Sequence, residues 1–150
     1  MTGRASRPDK EMEKVIIKTV AAFLNSERGG TLLIGVQDDG TIFGLDNDYQ
    51  AWSKPADRNR DKYELWLMGL LLGSYGKEFA SYISVTFQDV GGRDVCKITA
   101  YPAPEPVYAR EKREGKDEID EIFYLRTGNA TNRLTIREAI KYIQSRWKQR

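Results

Sequence analysis

Apolar residues near the start of the chain recur at every third or fourth position. This spacing predicts an amphipathic helix that packs one face on a sheet, with Asp9 as its N-terminal cap. The apolar face consists of Met12, Val15, Ile16, Thr19, Val20 and Phe23. Residues 31–36 then predict a buried strand, residues 37–40 a hairpin turn with Gly40 in the left-handed conformation, and residues 41–45 the partner strand.

The middle of the chain again shows helical spacing of apolar residues followed by the alternation that is typical of strands. Residues 58–72 place Tyr63, Trp66 and three leucines on one face and predict a second helix, whose end is marked by Gly73 and Gly76. Residues 82–90 alternate between apolar and polar side chains. After a turn at Gly91 and Gly92, residues 95–101 predict the returning strand of an antiparallel hairpin.

The last third of the chain is less regular. Three prolines at positions 102, 104 and 106 favour an extended segment, followed by an edge strand at residues 107–108. Residues 110–121 are almost wholly charged and predict a mobile surface loop. Residues 122–126 predict another strand. Thr135 and Glu138 match a capping box that opens a final helix, with an apolar face formed by Ile136, Ala139, Ile140, Ile143 and Trp147.

This order of elements predicts an α+β fold. We expect a mixed, mainly antiparallel sheet of about five to six strands with three helices packed on it. The 150 residues, 40% of them hydrophobic, suffice for one substantial core. Residues 1–8 have no apolar pattern and predict a flexible leader, so residues 9–150 are expected to form a single domain.

Charge is unevenly distributed along the chain. The formal net charge is +2, but residues 126–150 contain seven basic residues and one acidic residue, which leaves 17 basic against 21 acidic residues elsewhere. The formal charge is therefore +6 for residues 126–150 and −4 for the rest of the chain, and this distribution suits a polyanionic partner. An alternative reading assigns Arg146, Lys148 and Arg150 to the C-terminal end of a helix, where cations complement the helix dipole.

Composition excludes several kinds of chemistry. Histidine is absent, which removes the usual zinc ligand and the usual general base. The single cysteine, Cys96, lies in an apolar stretch and is predicted to be a buried strand residue. No apolar run approaches the ~20 residues of a membrane helix, and the N-terminus lacks a signal-peptide core. We therefore expect a soluble, cytoplasmic protein without a membrane partner.

Two ordered motifs carry a family resemblance. Residues 22–45, AFLNSERGGTLLIGVQDDGTIFGL, and residues 123–135, FYLRTGNATNRLT, stand about eighty residues apart. Together they resemble the AlbA_2 domain, a nucleic-acid-binding module of Schlafen proteins and of many bacterial regulators. The resemblance covers nearly the whole chain from about Glu11. It implies a nucleic-acid partner, DNA or RNA.

The resemblance also raises a catalytic alternative. In the Schlafen branch, a ribonuclease site pairs two glutamates of an E-x4-E-F-K segment with an aspartate that aligns with Asp38. That alignment places the glutamates before Met1, and Glu11 and Glu13 come too late to replace them. Asp38 is therefore a candidate catalytic and metal-binding residue for Mg²⁺ or Mn²⁺ only under the nuclease reading. The competing interpretation of Asp38, Asp39 and Gly40 is a hairpin turn.

The candidate nucleic-acid site lies in the second motif. The guanidinium groups of arginines and the side-chain amides beside Gly128 are hydrogen-bond donors that can bind a phosphate, and they lie close to the N-terminus of a predicted helix. The candidate binding residues are Arg126, Asn129, Thr131, Asn132, Arg133, Arg137 and Lys141. The alternative is a helix-capping loop in which Arg126 pairs with an acidic neighbour. Tyr63, Trp66 and Trp147 fall on apolar faces and are interpreted as core rather than as base-stacking residues.

A second candidate lies in the first motif, where Asn25, Gly29 and Gly30 form a helix-to-strand turn that could leave backbone amides facing a partner. A nucleotide-phosphate loop is disfavoured because the Walker and Rossmann spacings are absent. The leading hypothesis is a non-catalytic nucleic-acid-binding domain of a regulatory or defence protein that needs no cofactor. The alternatives are a metal-dependent ribonuclease and a homodimer module that pairs through the segment 102–108.

Overall fold

Three α-helices and one 3₁₀ helix appear in the computed structural model, which describes residues 10–45, 49, 59–113 and 115–148. They are α1 (Lys10–Asn25), α2 (Arg60–Tyr75), the 3₁₀ helix (Lys77–Tyr82) and α3 (Ile136–Arg146). Each predicted helix is present. Helix α2 runs through Gly73 and ends before Gly76, while the predicted leader and the predicted cap Asp9 lie outside the described residues.

Seven strands follow one another along the described chain. They are β1 (Gly30–Ile34), β2 (Ile83–Val90), β3 (Arg93–Ala100), β4 (Ala109–Lys112), β5 (Ile119–Ile122), β6 (Tyr124–Thr127) and β7 (Ala130–Arg133). All pairings are antiparallel and form three sheets: β1-β3-β2, β4-β5 and β6-β7. The α+β class is confirmed. The strands divide among three small sheets rather than forming the one larger sheet that was expected.

Strand β1 pairs with a distant strand rather than with its neighbour in sequence. Gly30 lies opposite Ala100 and Ile34 opposite Cys96 on β3. The predicted partner strand at residues 41–45 is wrong, since that segment forms no strand: an isolated bridge joins Val36 and Ile42, and the amides of Phe43 and Gly44 donate to the Gly35 carbonyl oxygen. The reason is local geometry: Gly35 and Gly44 have φ of 100° and 76°, which interrupts extended backbone on both sides of the turn.

The predicted and observed secondary structures differ most in the charged segment 110–121. It contributes most of the β4–β5 hairpin instead of a surface loop, and the expected edge strand at residues 107–108 begins later, at Ala109. Ala109 and Ile122 lie opposite each other and are both buried, which anchors one end of the hairpin in the core. At the other end of the hairpin, Arg113 follows β4 and bonds to Asp120 on β5 and to Glu118, so ion pairs hold the two strands together there.

Glycines at the end of α1 allow close packing. Gly29 has φ of 72°, and a Cβ there would lie 2.2 Å from the Ala100 carbonyl oxygen. A Cβ at Gly30 would lie 2.3 Å from the Phe23 ring. The Gly29 amide donates to Ser26 Oγ at 2.9 Å, so the expectation that this amide is free to face a partner is wrong. These glycines serve the helix-to-strand turn.

Asn25, the last residue of α1, is fully buried and connects three segments. Its Nδ2 donates to the carbonyl oxygens of Val107 and Tyr124 at 3.0 and 2.9 Å, and its Oδ1 accepts from the Val107 amide at 2.8 Å. These bonds join residues 82 and 99 positions apart in the chain. Within the segment 102–108, Ala103 and Val107 are buried, whereas Pro104, Glu105 and Tyr108 are exposed. The segment contains no strand, so it does not form the strand edge that the dimerisation hypothesis required.

Replacing Asn25 with alanine should strongly destabilise the fold. Three hydrogen bonds are lost and three buried backbone groups lose their partner, so we expect the free energy of unfolding to fall by about 3 kcal/mol. Urea denaturation followed by circular dichroism measures the change. Asn129→Ala, at an exposed turn position, is the matched control and should change stability by less than about 0.5 kcal/mol. Similar losses in both variants would contradict this role of Asn25.

Cys96 should be inert towards thiol reagents in the folded protein. The side chain is 0% exposed, and burial raises the pKa of its thiol to about 12. Because the thiolate is the nucleophile, a disulfide reagent should label Cys96 at mildly alkaline pH only when the protein unfolds. Labelling rates measured with and without denaturant check this. Rapid labelling of the native protein would show that the β1-β3-β2 sheet opens readily.

Candidate nucleic-acid interface

A cleft of about 430 Å³ lies between α1, the β4–β5 hairpin and the end of β7. Its walls are mostly charged and its remaining surface is aliphatic. We call it the basic cleft, because five of its lining side chains are basic and two are acidic. The lining residues are Lys14, Ile17, Arg110, Glu111, Lys112, Arg113, Asp120, Ile122 and Arg133.

Long-range packing brings these residues together. Lys14 and Ile17 are three residues apart on α1, so they share one side of the helix. Strand β4 supplies Arg110 through Lys112, and β7 ends at Arg133. The sequence prediction missed the contribution of β4, because it read the charged stretch as a loop. The available signal was the pair of apolar residues, Ala109 and Ile122, that bracket the charged stretch.

Of the two acidic residues that line the cleft, Asp120 is ion-paired and Glu111 makes no ion pair within the described residues. Arg113 Nε donates to both carboxylate oxygens of Asp120, and this hydrogen bond is the main cause of the lowered pKa of Asp120. The Nζ atom of Lys112 lies 3.8 Å from Oδ1 of Asp117 and forms an ion pair with it. Among the described residues, the side chains of Lys14, Arg110 and Arg133 have no hydrogen bond and no ion pair. All three are exposed and are available to an anion.

The predicted binding loop is a tight hairpin made by β6 and β7. Arg126 Nη1 donates to Thr131 Oγ1 at 2.9 Å, and its guanidinium lies 5.5 Å from the centroid of the Phe23 ring. Asn132 Nδ2 donates to Thr127 Oγ1. The alternative pairing of Arg126 with an acidic neighbour is therefore wrong. Three of the predicted binding residues, Arg126, Thr131 and Asn132, hold the hairpin together through their side chains.

The other predicted residues lie on two surfaces. Arg133 lines the basic cleft. Asn129 is exposed at the tip of the β6–β7 hairpin, and Arg137 and Lys141 are exposed one turn apart on α3. Arg133 is the only one of the seven predicted binding residues that lines this cleft. The basic residues among them thus fall on two surfaces of the described chain, the basic cleft and the exposed face of α3.

Helix α3 is attached by large side chains near its C-terminal end. Tyr142 donates to the Asn25 carbonyl oxygen at 2.7 Å, and Trp147 Nε1 donates to the Ala103 carbonyl oxygen at 2.9 Å. Arg146 donates to two carbonyl oxygens and stacks on Trp147, with its guanidinium 4.6 Å from the ring. Arg146 is therefore a structural residue. The predicted apolar face is not buried, since Ile136 and Ile140 are 81% and 51% exposed.

Asp38 lies in the predicted hairpin turn and is exposed, like Asp39 beside it. The turn is closed by a Gln37 amide bond to Thr41 at 2.8 Å, and Gly40 has the expected positive φ of 89°. Asp39 Oδ1 accepts from the Thr41 amide, which lowers the pKa of Asp39. Within residues 10–45, 49, 59–113 and 115–148, no group of three or more cysteine, aspartate or glutamate residues could hold a metal ion.

The predicted core aromatics lie where apolar packing requires them. Tyr63 is fully buried and meets Trp66 and Phe87 edge to face, at centroid distances of 5.3 and 5.9 Å. Trp147 packs against Phe123 and Tyr142. None of these rings lines the basic cleft.

In the part of the chain that the structure describes, no helix combines the length and apolarity that crossing a bilayer requires.

Comparisons with known proteins agree with this architecture. The DIP2311 protein from Corynebacterium diphtheriae has a similar fold, with a TM-score of 0.61 and 19% sequence identity over 97% of this chain. The similar region is 24% of the DIP2311 chain. No curated protein matches the sequence. The family described as Schlafen, AlbA_2 has a sequence model that matches residues 4–135, and the chain therefore belongs to this family.

Proposed function

We propose that this domain binds nucleic acid, DNA or RNA, through the backbone phosphates and that the basic cleft is the main contact surface. The observation that carries the proposal is the set of three exposed basic side chains, Lys14, Arg110 and Arg133, that make no hydrogen bond and no ion pair within the described residues and converge on one concavity. Cations without an internal partner are the groups that phosphates neutralise in nucleic-acid complexes.

The charge distribution supports a polyanion over a small neutral ligand. The whole chain carries only +2, yet the cleft lining has three more basic than acidic residues. The guanidinium groups of arginine match phosphate oxygens in two-point contacts, and two of the three cleft arginines, Arg110 and Arg133, make no ion pair among the described residues. The exposed Arg137 and Lys141 on α3 offer a second, smaller set of phosphate contacts. Binding through these groups requires no cofactor.

The family membership supports the same partner class. We propose that the domain is one non-catalytic, cytoplasmic module of a regulatory or defence protein, in which the other parts of the protein select the target or act on it. Phosphate contacts fix the position and orientation of a nucleic acid, but they do not read its bases. Sequence selectivity through this surface alone should therefore be weak.

Removing cleft charges should weaken binding more than removing charges elsewhere. We expect the double variant Arg110→Ala/Arg133→Ala to bind a labelled oligonucleotide about a hundredfold more weakly, roughly tenfold for each phosphate contact. Fluorescence anisotropy across a salt series measures this. The slope of log K against log salt should fall by about one for each lost contact.

Two control variants separate the possible surfaces. Lys77→Ala/Lys97→Ala removes two exposed charges that lie outside both basic surfaces and should change affinity less than threefold or so, through long-range charge alone. Arg137→Ala/Lys141→Ala tests α3. If the α3 variant loses binding while the cleft variant does not, the contact surface is α3 and the assignment to the cleft is wrong. A flat salt series would contradict phosphate binding altogether.

The ribonuclease alternative rests on Asp38, which aligns with the family's catalytic aspartate. We expect no cleavage of tRNA or single-stranded DNA by this chain in Mn²⁺, because a single exposed carboxylate holds an activating metal ion poorly. Denaturing gels over a time course provide the measurement. Cleavage that disappears in Asp38→Ala would establish the nuclease function in place of a purely binding role.

A further inference from the structure

The phosphate-binding role leaves one cleft residue unexplained, the carboxylate of Glu111. Glu111 is half-buried on β4, and its Oε2 accepts a hydrogen bond from the Tyr124 hydroxyl. Among the described residues, Glu111 makes no ion pair and its other carboxylate oxygen has no hydrogen-bond donor. A negative charge in this position opposes phosphate binding. Asp120 differs, since Arg113 engages both of its oxygens.

Tyr124 holds the Glu111 carboxylate in place. The tyrosine is 4% exposed, and its main-chain carbonyl oxygen accepts from Asn25, so its ring is anchored in the core. Burial, with a further contribution from Glu111, raises the pKa of the Tyr124 hydroxyl. The hydroxyl therefore keeps its proton and remains the donor, and Glu111 remains the acceptor. An acceptor fixed in this way needs little reorganisation when a donor arrives.

Beside this acceptor, the cleft is lined by two aliphatic side chains, the half-buried Ile17 and the edge of the largely buried Ile122. The three parts of the cleft match the three parts of a nucleotide: an apolar surface for the face of a base, a carboxylate for an N–H group on its edge, and cations for its phosphate. The volume of about 430 Å³ falls within the range of about 300–1,000 Å³ that is typical of small-ligand sites.

We propose that the basic cleft holds one unpaired nucleotide of a single strand, with Glu111 accepting an N–H group from the Watson–Crick edge of the base. This inference rests on the proposed function. Each base has at least one N–H donor on that edge, and pairing occupies it in a duplex. A duplex must also unstack and unpair a nucleotide before a base can enter a concavity. Glu111 is then a specificity-determining residue that favours single strands, and Tyr124 is its positioning residue.

The test compares affinities for single-stranded RNA, single-stranded DNA and a duplex of the same sequence, measured by fluorescence anisotropy. The wild-type chain should prefer both single strands to the duplex. Glu111→Gln should lower this preference about tenfold, because a neutral acceptor forms a weaker bond than a charged one. Tyr124→Phe, which keeps the ring but releases Glu111, should lower the preference by a smaller factor.

Asp120→Asn is the matched control, because it removes the same charge from the same cleft. It removes one of the two ion pairs of Arg113, which keeps Glu118, and should raise affinity for all three ligands without changing their ratio. A wild-type chain that binds duplex and single strands equally, or a Glu111→Gln variant with an unchanged ratio, overturns the inference. If Glu111→Gln lowers affinity for single-stranded RNA alone, the ribose hydroxyl is the donor, and the assignment to the base edge is overturned. Absence of binding to every ligand at low salt would instead refute the proposed function.

Discussion

The buried side chain of Asn25 is the constraint on which the rest of the described structure depends. Its amide supplies two donors and one acceptor to the backbone of Val107 and Tyr124, which come from distant parts of the chain. The Asn25 main-chain carbonyl in turn accepts from Tyr142 on α3. A buried amide with unpaired groups is costly, so these segments can occupy the core only in the arrangement that satisfies it. The side chain thereby fixes two segments relative to α1, and the main-chain carbonyl of the same residue adds α3.

The basic cleft follows from this arrangement. Strand β4 begins two residues after Val107 and β6 begins at Tyr124, so both elements start from positions that Asn25 holds. Tyr124 connects the core to the cleft: its carbonyl oxygen accepts from Asn25, and its hydroxyl donates to Glu111, which lines the cleft. A change at Asn25 should therefore affect the shape of the cleft as well as the stability of the domain.

Electrostatics within the cleft shows why a nearly neutral chain can present a charged surface. Two acidic residues of the β4–β5 hairpin, Asp120 and Glu118, form local ion pairs with Arg113. Exposed ion pairs of this kind contribute little to stability, with a median of about 0–1 kcal/mol. Among the described residues, Lys14, Arg110 and Arg133 are then the cations around the concavity that make no ion pair. Local pairing, rather than total charge, determines which groups are available to a partner.

The sequence by itself determined the features that depend on near neighbours. The helical period of residues 12–23, the left-handed glycine at position 40 and the capping box of Thr135 and Glu138 were predicted and are present, because each arises within a few residues. Only the tertiary structure decided the pairing of β1 with β3, the stacking of Arg126 on Phe23 and the meeting of Lys14, Arg110 and Arg133 in one cleft. Each of these joins residues far apart in the chain, and local periodicity carries no information about which distant surfaces meet. Long-range pairing is chosen by the burial of the whole core and by the satisfaction of groups such as the Asn25 amide, both of which exist only once the chain has folded.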